Sequence, residues 1–363
     1  MDIGLMIVAL LVAFSNGAND NFKGFATVWG SDTLPYRRAL QLATLATVAG
    51  GLFSIYLATA LVQSFSGKGL VSPEIVHTSS FMFDVAAGAG LTVLLATRLG
   101  FPISTTHALI GGLIGAGLGQ SSRGVNFMPL WHTFLFPLLL SPLLAVALSL
   151  LFQRGIKKAG LENACACGVV SVQAAEGLAG DSLVQRRGMS PVELVVAPQA
   201  FCEKIEPQVW LSSSRLLDRL HIFSAMTICF ARAVNDTPKL AALLLVTYGS
   251  GVQPAVVMVT IVMATGGLLF AKRVAVTMSQ RVTRLDHVPG LIANMTTAVI
   301  VLFASKLGFP VSTTHVAVGA IAGVGTGAQL LDRKVLRDIL LSWVATLPIA
   351  ASVAFAAARS GLM

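Results

Sequence analysis

The sequence predicts an all-α polytopic membrane protein with about ten membrane segments, arranged as two inverted five-segment repeats with broken or re-entrant helices. Three observations predict this fold. Of the 363 residues, 55% are hydrophobic and 11% are charged, whereas soluble proteins carry about 25% charged residues. The mean hydropathy is +0.79, which indicates apolar runs that are too long for a water-facing surface. The third observation is an internal duplication, which implies that both halves share one architecture.

The apolar segments form two sets of five, separated by a polar stretch at 154–217. The first set forms a membrane repeat at 1–153, and the second forms an inverted repeat at 218–363. The predicted segments lie at roughly 3–30, 39–64, 80–97, 103–119, 127–153, 220–248, 254–271, 288–305, 309–327 and 335–358. The polar stretch predicts a soluble linker or small insert, in which the runs Val169-Val170 and Val195-Val196 are compatible with strands.

The net charge of +9 is explained by membrane topology, because Lys and Arg accumulate in cytoplasmic loops. With the linker inside and the segments alternating from it, only Lys68, Arg123, Lys306 and Arg359 lie outside. We therefore expect a cytoplasmic linker, two external termini and no nucleic-acid partner. Because the N-terminus lacks the basic region of a cleaved signal peptide, we expect the first helix to stay in the membrane. We also expect an integral protein of a bacterial-type inner or plasma membrane, in contact with the lipid bilayer.

Two motifs occur once in each half of the chain. Leu99–His107 recurs as Leu307–His315, with identity at eight of nine positions. Asn19–Lys23 corresponds to Asn235–Lys239, which keeps the Asn-Asp pair and the Lys. Because each repeat contains an odd number of segments, the second copy enters the membrane from the opposite face. Inverted repeats of this kind are typical of transporters.

Four charged residues interrupt the apolar segments in two equivalent pairs, Asp20 with Lys23 and Asp236 with Lys239. Each such charge costs about 2.5–3.5 kcal/mol on insertion scales. One interpretation is that each pair only holds helices together through an ion pair on one helix face. The alternative is an ion site, because broken helices free backbone groups that bind ions. We predict that Ser15–Asn19 and Thr237-Pro238 interrupt their helices beside the charges.

The Phe-Pro-x-Ser-Thr-Thr-His motif predicts an anion site at a helix N-terminus. Pro102 and Pro310 are suited to start a helix, and the hydroxyls that follow lie beside the unpaired N–H groups of its first turn. These hydroxyls belong to Ser104, Thr105, Thr106, Ser312, Thr313 and Thr314. N-capping is the simpler interpretation, but it explains one hydroxyl in each copy and not three. His107 and His315 are open to two interpretations, as proton relays or anion contacts, or as buried residues that bond a neighbouring helix.

At these motifs the chain resembles the inorganic phosphate transporter (PiT) family, whose repeats each carry a Gly-Ala-Asn-Asp element and a Pro-x-Ser-Thr-Thr-His element. Gly17–Asp20 matches the first element, while Ala233–Asp236 keeps only its Asn-Asp. The resemblance covers almost the whole chain outside 154–217. It implies that the Ser-Thr-Thr hydroxyls bind phosphate and that the Asn-Asp residues bind coupling ions. The Asn-Asp residues are Asn19, Asp20, Asn235 and Asp236.

The chain departs from the family pattern at positions that bear on ion coupling. Lys23 and Lys239 stand where the family has a second Asn, and Arg232 stands where the second motif often has His. By spacing, Thr47 and Asn294 replace carboxylates that family members often carry. A Lys ammonium beside an Asp can take the place of Na⁺. We therefore predict coupling to H⁺ or to no ion in preference to Na⁺, with both lysines in the substrate site and Arg232 in its charge balance.

The predicted function is that of a secondary transporter that moves inorganic phosphate by alternating access. The same fold suits sulfate or another tetrahedral oxyanion, because hydroxyls and helix termini distinguish such ions only by charge and protonation. A passive anion channel is a further alternative. We expect no enzyme, since catalysis needs one asymmetric site and these groups are duplicated. We expect no cofactor and no metal, because Cys165, Cys167 and Cys202 lack a clear fourth ligand. A homodimer is left open.

Overall fold

The computed structural model describes residues 3–57, 59–67, 69–76, 78–121, 124–158, 164–170, 192–198, 213–248, 252–281, 287–328 and 332–361. The helices of the first half are α1 (Ile3–Asp20), α2 (Ala26–Gly30), α3 (Tyr36–Leu57), α4 (Thr59–Ser64), α5 (Pro73–Val76), α6 (Ser79–Leu99), α7 (Thr105–Gln120), α8 (Phe127–Pro129) and α9 (Phe136–Lys158). Those of the second half are α10 (Ser213–Ala242), α11 (Leu245–Tyr248), α12 (Val252–Phe270), α13 (Lys272–Val276), α14 (His287–Lys306), α15 (Thr313–Ala328) and α16 (Arg333–Ser360).

Seven helical stretches in the described part of the chain are long and apolar enough to cross a membrane. They are Ile3–Gly30, Tyr36–Leu57, Ser79–Leu99, Phe127–Lys158, Val252–Phe270, His287–Lys306 and Lys334–Ser360. The other three predicted segments correspond to α7, α10 and α15. Helices α7 and α15 contain 16 residues each, fewer than the roughly 20 needed to span a bilayer. Helix α10 carries Arg232, Asp236 and Lys239, which lower its hydropathy. The membrane part of this polytopic protein is therefore all-α, and the ten-segment inverted repeat stays a prediction.

The helix breaks lie later in the chain than predicted. Helix α1 continues through Ser15–Asn19 to Asp20, and its interruption follows as the 3₁₀ turn Lys23–Phe25. The prediction for Thr237-Pro238 is wrong, because α10 continues through Pro238 to Ala242. A proline removes one helical hydrogen bond, but surrounding packing can hold the remaining turns in place. Each charged pair therefore lies on or directly beside helical backbone.

The prediction that prolines start the motif helices is also wrong. Helices α7 and α15 begin at Thr105 and Thr313, and each follows four non-helical residues, 101–104 and 309–312, which we call the extended segments. The serine before each helix takes the N-cap position, because its hydroxyl accepts the backbone N–H three residues on. The distance from the backbone N of His107 to Ser104 Oγ is 3.1 Å, and the distance from the backbone N of His315 to Ser312 Oγ is 3.2 Å. The extended segments leave backbone carbonyls free of helical bonds, which the site uses.

Glycines allow the two motif helices to pack closely against their neighbours. A Cβ on Gly111 or Gly115 of α7 would collide with backbone carbonyls of α16. A Cβ on Gly319 or Gly323 of α15 would collide in the same way with α9. Small residues at such contacts are typical of membrane helices. The motif helix of each half thus packs on the last long helix of the other half.

The described part of the linker forms one antiparallel strand pair, β1 (Ala164–Val170) with β2 (Val192–Pro198). Ala164 lies opposite Pro198, and Val170 lies opposite Val192. Both apolar runs that we judged compatible with strands lie in this pair. The chain divides into two compact units, one formed by Met1–Gln153 with His221–Met363 and the other by Arg154–Leu220.

Candidate substrate site

Five charged side chains are buried together among the apolar helices. They are Asp20, Lys23, Arg232, Asp236 and Lys239, and each is at most 5% exposed. Lys23 Nζ contacts Asp20 Oδ1, and Lys239 Nζ lies 3.4 Å from Asp236 Oδ1. Arg232 Nη1 lies 3.9 Å from Asp236 Oδ2. Each charge thus has a partner of opposite sign, which lowers the cost of its burial in the low-dielectric interior. Asp236 is shared by two cations, so the cluster keeps an excess of one positive charge.

Each lysine also bonds the hydroxyl motif of the opposite half. Lys23 Nζ donates to Thr314 Oγ1 at 2.5 Å, and Lys239 Nζ donates to Thr106 Oγ1 at 2.8 Å. Within its own half, Lys23 bonds the Ile103 carbonyl at 3.0 Å, and Lys239 bonds the equivalent carbonyl of Val311 at 2.9 Å. The two lysines therefore occupy equivalent positions in a single cluster that both halves build.

The two Ser-Thr-Thr segments touch each other directly. Thr314 Oγ1 donates to the Ile103 carbonyl at 2.9 Å, and Thr106 Oγ1 donates to the Val311 carbonyl at 3.3 Å. These carbonyls belong to the extended segments before α7 and α15, where no helical N–H claims them. The third hydroxyl of each motif therefore closes the contact between the halves.

The first two hydroxyls of each motif have different surroundings. Ser104 and Ser312 are N-caps, so the simpler interpretation is correct for the serines. As hydroxyls that accept a bond, they still have a proton to donate. Thr105 Oγ1 accepts from Asn16 Nδ2 at 2.9 Å. The equivalent residue of the second copy, Thr313, is also buried, with 6% of its surface exposed. Capping thus accounts for one hydroxyl in each copy and leaves the threonines for another role.

The asparagines of the Asn-Asp pairs fix the extended segments. Asn19 Nδ2 donates to Thr97 Oγ1 at 2.9 Å and to the Phe101 carbonyl at 3.0 Å, and its Oδ1 accepts from the N–H of Ile103. Asn235 Nδ2 donates to the Val311 carbonyl at 3.1 Å. In this structure both amides therefore bind protein groups, which makes them positioning residues for the hydroxyl motifs.

Asn16 is a central residue of the cluster that the sequence interpretation missed. Its Nδ2 lies 3.1 Å from Asp20 Oδ2 and 3.3 Å from Asp236 Oδ2, so one amide bridges the carboxylates of both halves. Its Oδ1 accepts from Arg232 Nη1 at 3.0 Å. A signal was present in the repeat, since the offset that aligns Asp20 with Asp236 also aligns Asn16 with Arg232.

Thr47 on α3, which stands where family members often carry a carboxylate, lies in the same network. Arg232 Nη2 donates to Thr47 Oγ1 at 2.8 Å, and Thr47 donates to Asn21 Oδ1 at 2.7 Å. The other such position, Asn294, donates to Ser224 Oγ at 3.1 Å and accepts from Thr27. Arg232 is thus held by neutral groups on one side and by a carboxylate on the other.

The two motif histidines pack against each other, with ring centroids 4.4 Å apart, and His315 stacks on Trp343 at 3.7 Å. His107 Nδ1 and His315 Nε2 are buried without a hydrogen-bond partner among the described residues. Of the three linker cysteines considered as metal ligands, Cys165 and Cys167 lie in β1, and Cys202 lies outside the described residues.

Buried ion pairs and hydroxyls come from both halves of the chain, through the two copies of each motif. Enclosed by apolar helices, they define a membrane transport protein with one shared polar site. Comparison with known proteins assigns the family. The model of the phosphate transporter family matches residues 16–354, and the chain therefore belongs to this family.

Relatives that match almost the whole of this chain support this assignment. A protein of Pyrococcus abyssi named as a phosphate permease is 26% identical, over 95% of this chain and 94% of its own. The chloroplastic inorganic phosphate transporter 2-1 of Arabidopsis thaliana is 25% identical, over 96% of this chain and 70% of its own. A solved structure described as the sodium-dependent phosphate transporter shares the fold, with a TM-score of 0.77 and 22% identity over 99% of this chain and 98% of that chain.

Proposed function

We propose that this protein carries inorganic phosphate across the membrane as a secondary transporter. The observation behind this proposal is the reciprocal bonding of Lys23 to Thr314 and of Lys239 to Thr106. It gathers ammonium and hydroxyl donors from both halves into one buried cluster, and charge-assisted donors of this kind suit a tetrahedral oxyanion. Family membership and the names of the relatives favour phosphate over sulfate as that oxyanion.

In this proposal the cluster opens in turn to the two faces of the membrane. Separation of the Ser-Thr-Thr segments would break the Thr106 and Thr314 bonds to the opposite carbonyls, together with both lysine–threonine bonds. The hydroxyls and ammonium groups released in this way would then bind the anion. The inverted relation of two five-segment repeats supplies the two equivalent arrangements that alternating access requires.

We further propose that sodium is not needed. Two aspartates, two lysines and Arg232 give the cluster one net positive formal charge before the anion enters. A phosphate group brings about −1.5 to −2 charges at neutral pH, so at least half of the anion's charge is balanced by the cluster itself. Each Asp already has a lysine ammonium as its partner, in the place of a coupling cation that would neutralise the carboxylate. Proton coupling or no coupling ion is consistent with this balance.

The function is tested with purified protein in liposomes that are preloaded with unlabelled phosphate. A carrier should accumulate external labelled phosphate above its equilibrium level by exchange, and a ten-fold excess of sulfate should leave this accumulation largely intact. Equal competition by sulfate would favour the broader oxyanion permease. Flux that only dissipates the gradient, with no accumulation, would indicate a channel. Empty liposomes provide the control.

For the orientation, we propose that the insert at 154–217 lies in the cytoplasm between repeats at 1–153 and 218–363, with both termini outside. A membrane-impermeant thiol reagent should then label a Cys placed at Lys68 in intact cells and should leave Cys165 unlabelled. The inverse labelling pattern would invert the topology. Inside-out vesicles provide the control, since Cys165 should become reactive there.

A further inference from the structure

A largely apolar cavity of about 790 Å³ lies between α7, α9, α15 and α16. We infer that an acyl chain of a bilayer phospholipid binds in it. Among the described residues that line it, none has a charged side chain, and the polar side-chain atoms come from His107, His315 and Trp343. Trp343 uses its indole N–H to bond the Pro102 carbonyl at 3.1 Å. An apolar lining of this kind selects an apolar occupant.

The mouth of the cavity is formed by side chains on the outside of the helix bundle. Leu139 and Leu143 of α9 are 57% and 66% exposed, and Val344 of α16 is 74% exposed. Both helices belong to stretches that are apolar enough to cross a membrane. The medium at this mouth is therefore lipid hydrocarbon, so the acyl chains of the bilayer are the apolar groups present at highest concentration.

The deep part of the cavity favours a flexible chain over a protein surface. It is lined by Val318 and Ala322, which are 1% and 8% exposed, and by Trp343, which is 8% exposed. A second copy of this protein would cover the mouth but leave this depth empty, and the lining atoms would lose contacts on that side. One acyl chain can enter past the mouth and fill the depth.

The cavity wall is continuous with the substrate site. His107 and His315 follow directly after Thr106 and Thr314, the threonines that bond the two lysines. An acyl chain in the cavity would therefore contact the first turns of both motif helices, α7 and α15, through His107 and His315. This consequence for transport rests on the proposed function, whereas binding of the chain does not.

Quenching of tryptophan fluorescence by brominated lipid tests the binding directly. Replacing Trp29, Trp131 and Trp210 with Phe leaves Trp343 alone, and a second variant keeps only Trp131, which is 47% exposed. Each is reconstituted in phosphatidylcholine with brominated or ordinary acyl chains. Although Trp343 is only 8% exposed, it should lose a fraction of its fluorescence comparable with that lost by Trp131. Quenching of Trp131 with no quenching of Trp343 would overturn the inference, and it is also the result expected if a second copy covers the mouth.

A filled cavity provides the second arm of the experiment. In the Trp343 variant, Ala322→Phe should place a ring in the depth of the cavity and remove most of the quenching. Leu143→Phe narrows the mouth at an exposed position and should reduce quenching even if Ala322→Phe fails to fold. The matched control is Leu268→Phe on α12, which is 48% exposed and lies outside the cavity lining. Quenching that persists in both cavity variants would contradict the inference.

Discussion

Removing Lys23 should destabilise the protein more than removing Lys239, although the two lysines hold equivalent positions in the repeats. After Lys23→Met, Asp20 loses its ion-pair partner and keeps the neutral amide of Asn16 at 3.1 Å. Removing one partner of a buried ion pair costs about 3–5 kcal/mol, because the remaining charge is left uncompensated. We expect the loss of unfolding free energy for Lys23→Met to lie in this range.

Asp236 is better protected against the same change. After Lys239→Met it keeps the guanidinium of Arg232 at 3.9 Å and the amide of Asn235 at 3.1 Å, in addition to Asn16. The loss then approaches the cost of missing hydrogen bonds to a charged group, about 1.5–3 kcal/mol. The asymmetry between the two halves comes from Arg232, which the first repeat replaces with Asn16.

The assay is denaturant unfolding of the purified variants in detergent micelles, together with phosphate uptake in liposomes. The double variant Asp20→Asn with Lys23→Met removes both charges and should recover most of the lost stability. Its uptake should stay low, because an ammonium donor is missing from the substrate site. Equal destabilisation by the two single Lys variants, or no recovery in the double variant, would refute this reasoning.

Two further predictions concern the site and the insert. Thr106→Val and Thr314→Val should each raise the phosphate concentration for half-maximal uptake by about ten-fold, since one bond to a charged donor is worth about 1.5 kcal/mol. Thr297→Val is the control, because that hydroxyl bonds the Ala293 carbonyl of its own helix; equal effects at all three positions would argue against the site. Replacing residues 159–212 with a Gly-Ser linker should preserve uptake, because both motif copies lie outside this stretch, and a folded but inactive deletion would show that the insert takes part in transport.

The internal repeat made much of the site predictable from the sequence. The five charges of the buried cluster and the threonines that bond the lysines are predictable, because charge within an apolar segment and a duplicated hydroxyl motif are both visible in the chain. The pairing of Lys23 with Thr314 across the halves was not predictable. It depends on how two segments meet in the fold, and the two bonded residues are 291 positions apart in the sequence.

Local rules failed where tertiary packing overrode them. Pro238 was predicted to interrupt α10, yet the helix continues to Ala242. Asn16 was predicted to interrupt its helix, yet it lies within α1, and its amide bridges the carboxylates of Asp20 on α1 and Asp236 on α10. Gly17 next to it serves close packing, since a Cβ there would collide with the Met263 carbonyl of α12. In both segments, residues with low helix propensity are kept helical by the partners around them.

The claim that Lys23 and Lys239 take the place of a coupling cation is tested most directly by uptake of labelled phosphate into liposomes with all sodium replaced by choline at fixed pH. The account predicts that the purified protein transports phosphate at an unchanged rate in choline. It also predicts that Lys23→Asn and Lys239→Asn either abolish uptake or make it depend on sodium. Uptake by the unaltered protein that collapses in choline and returns with sodium would contradict the account.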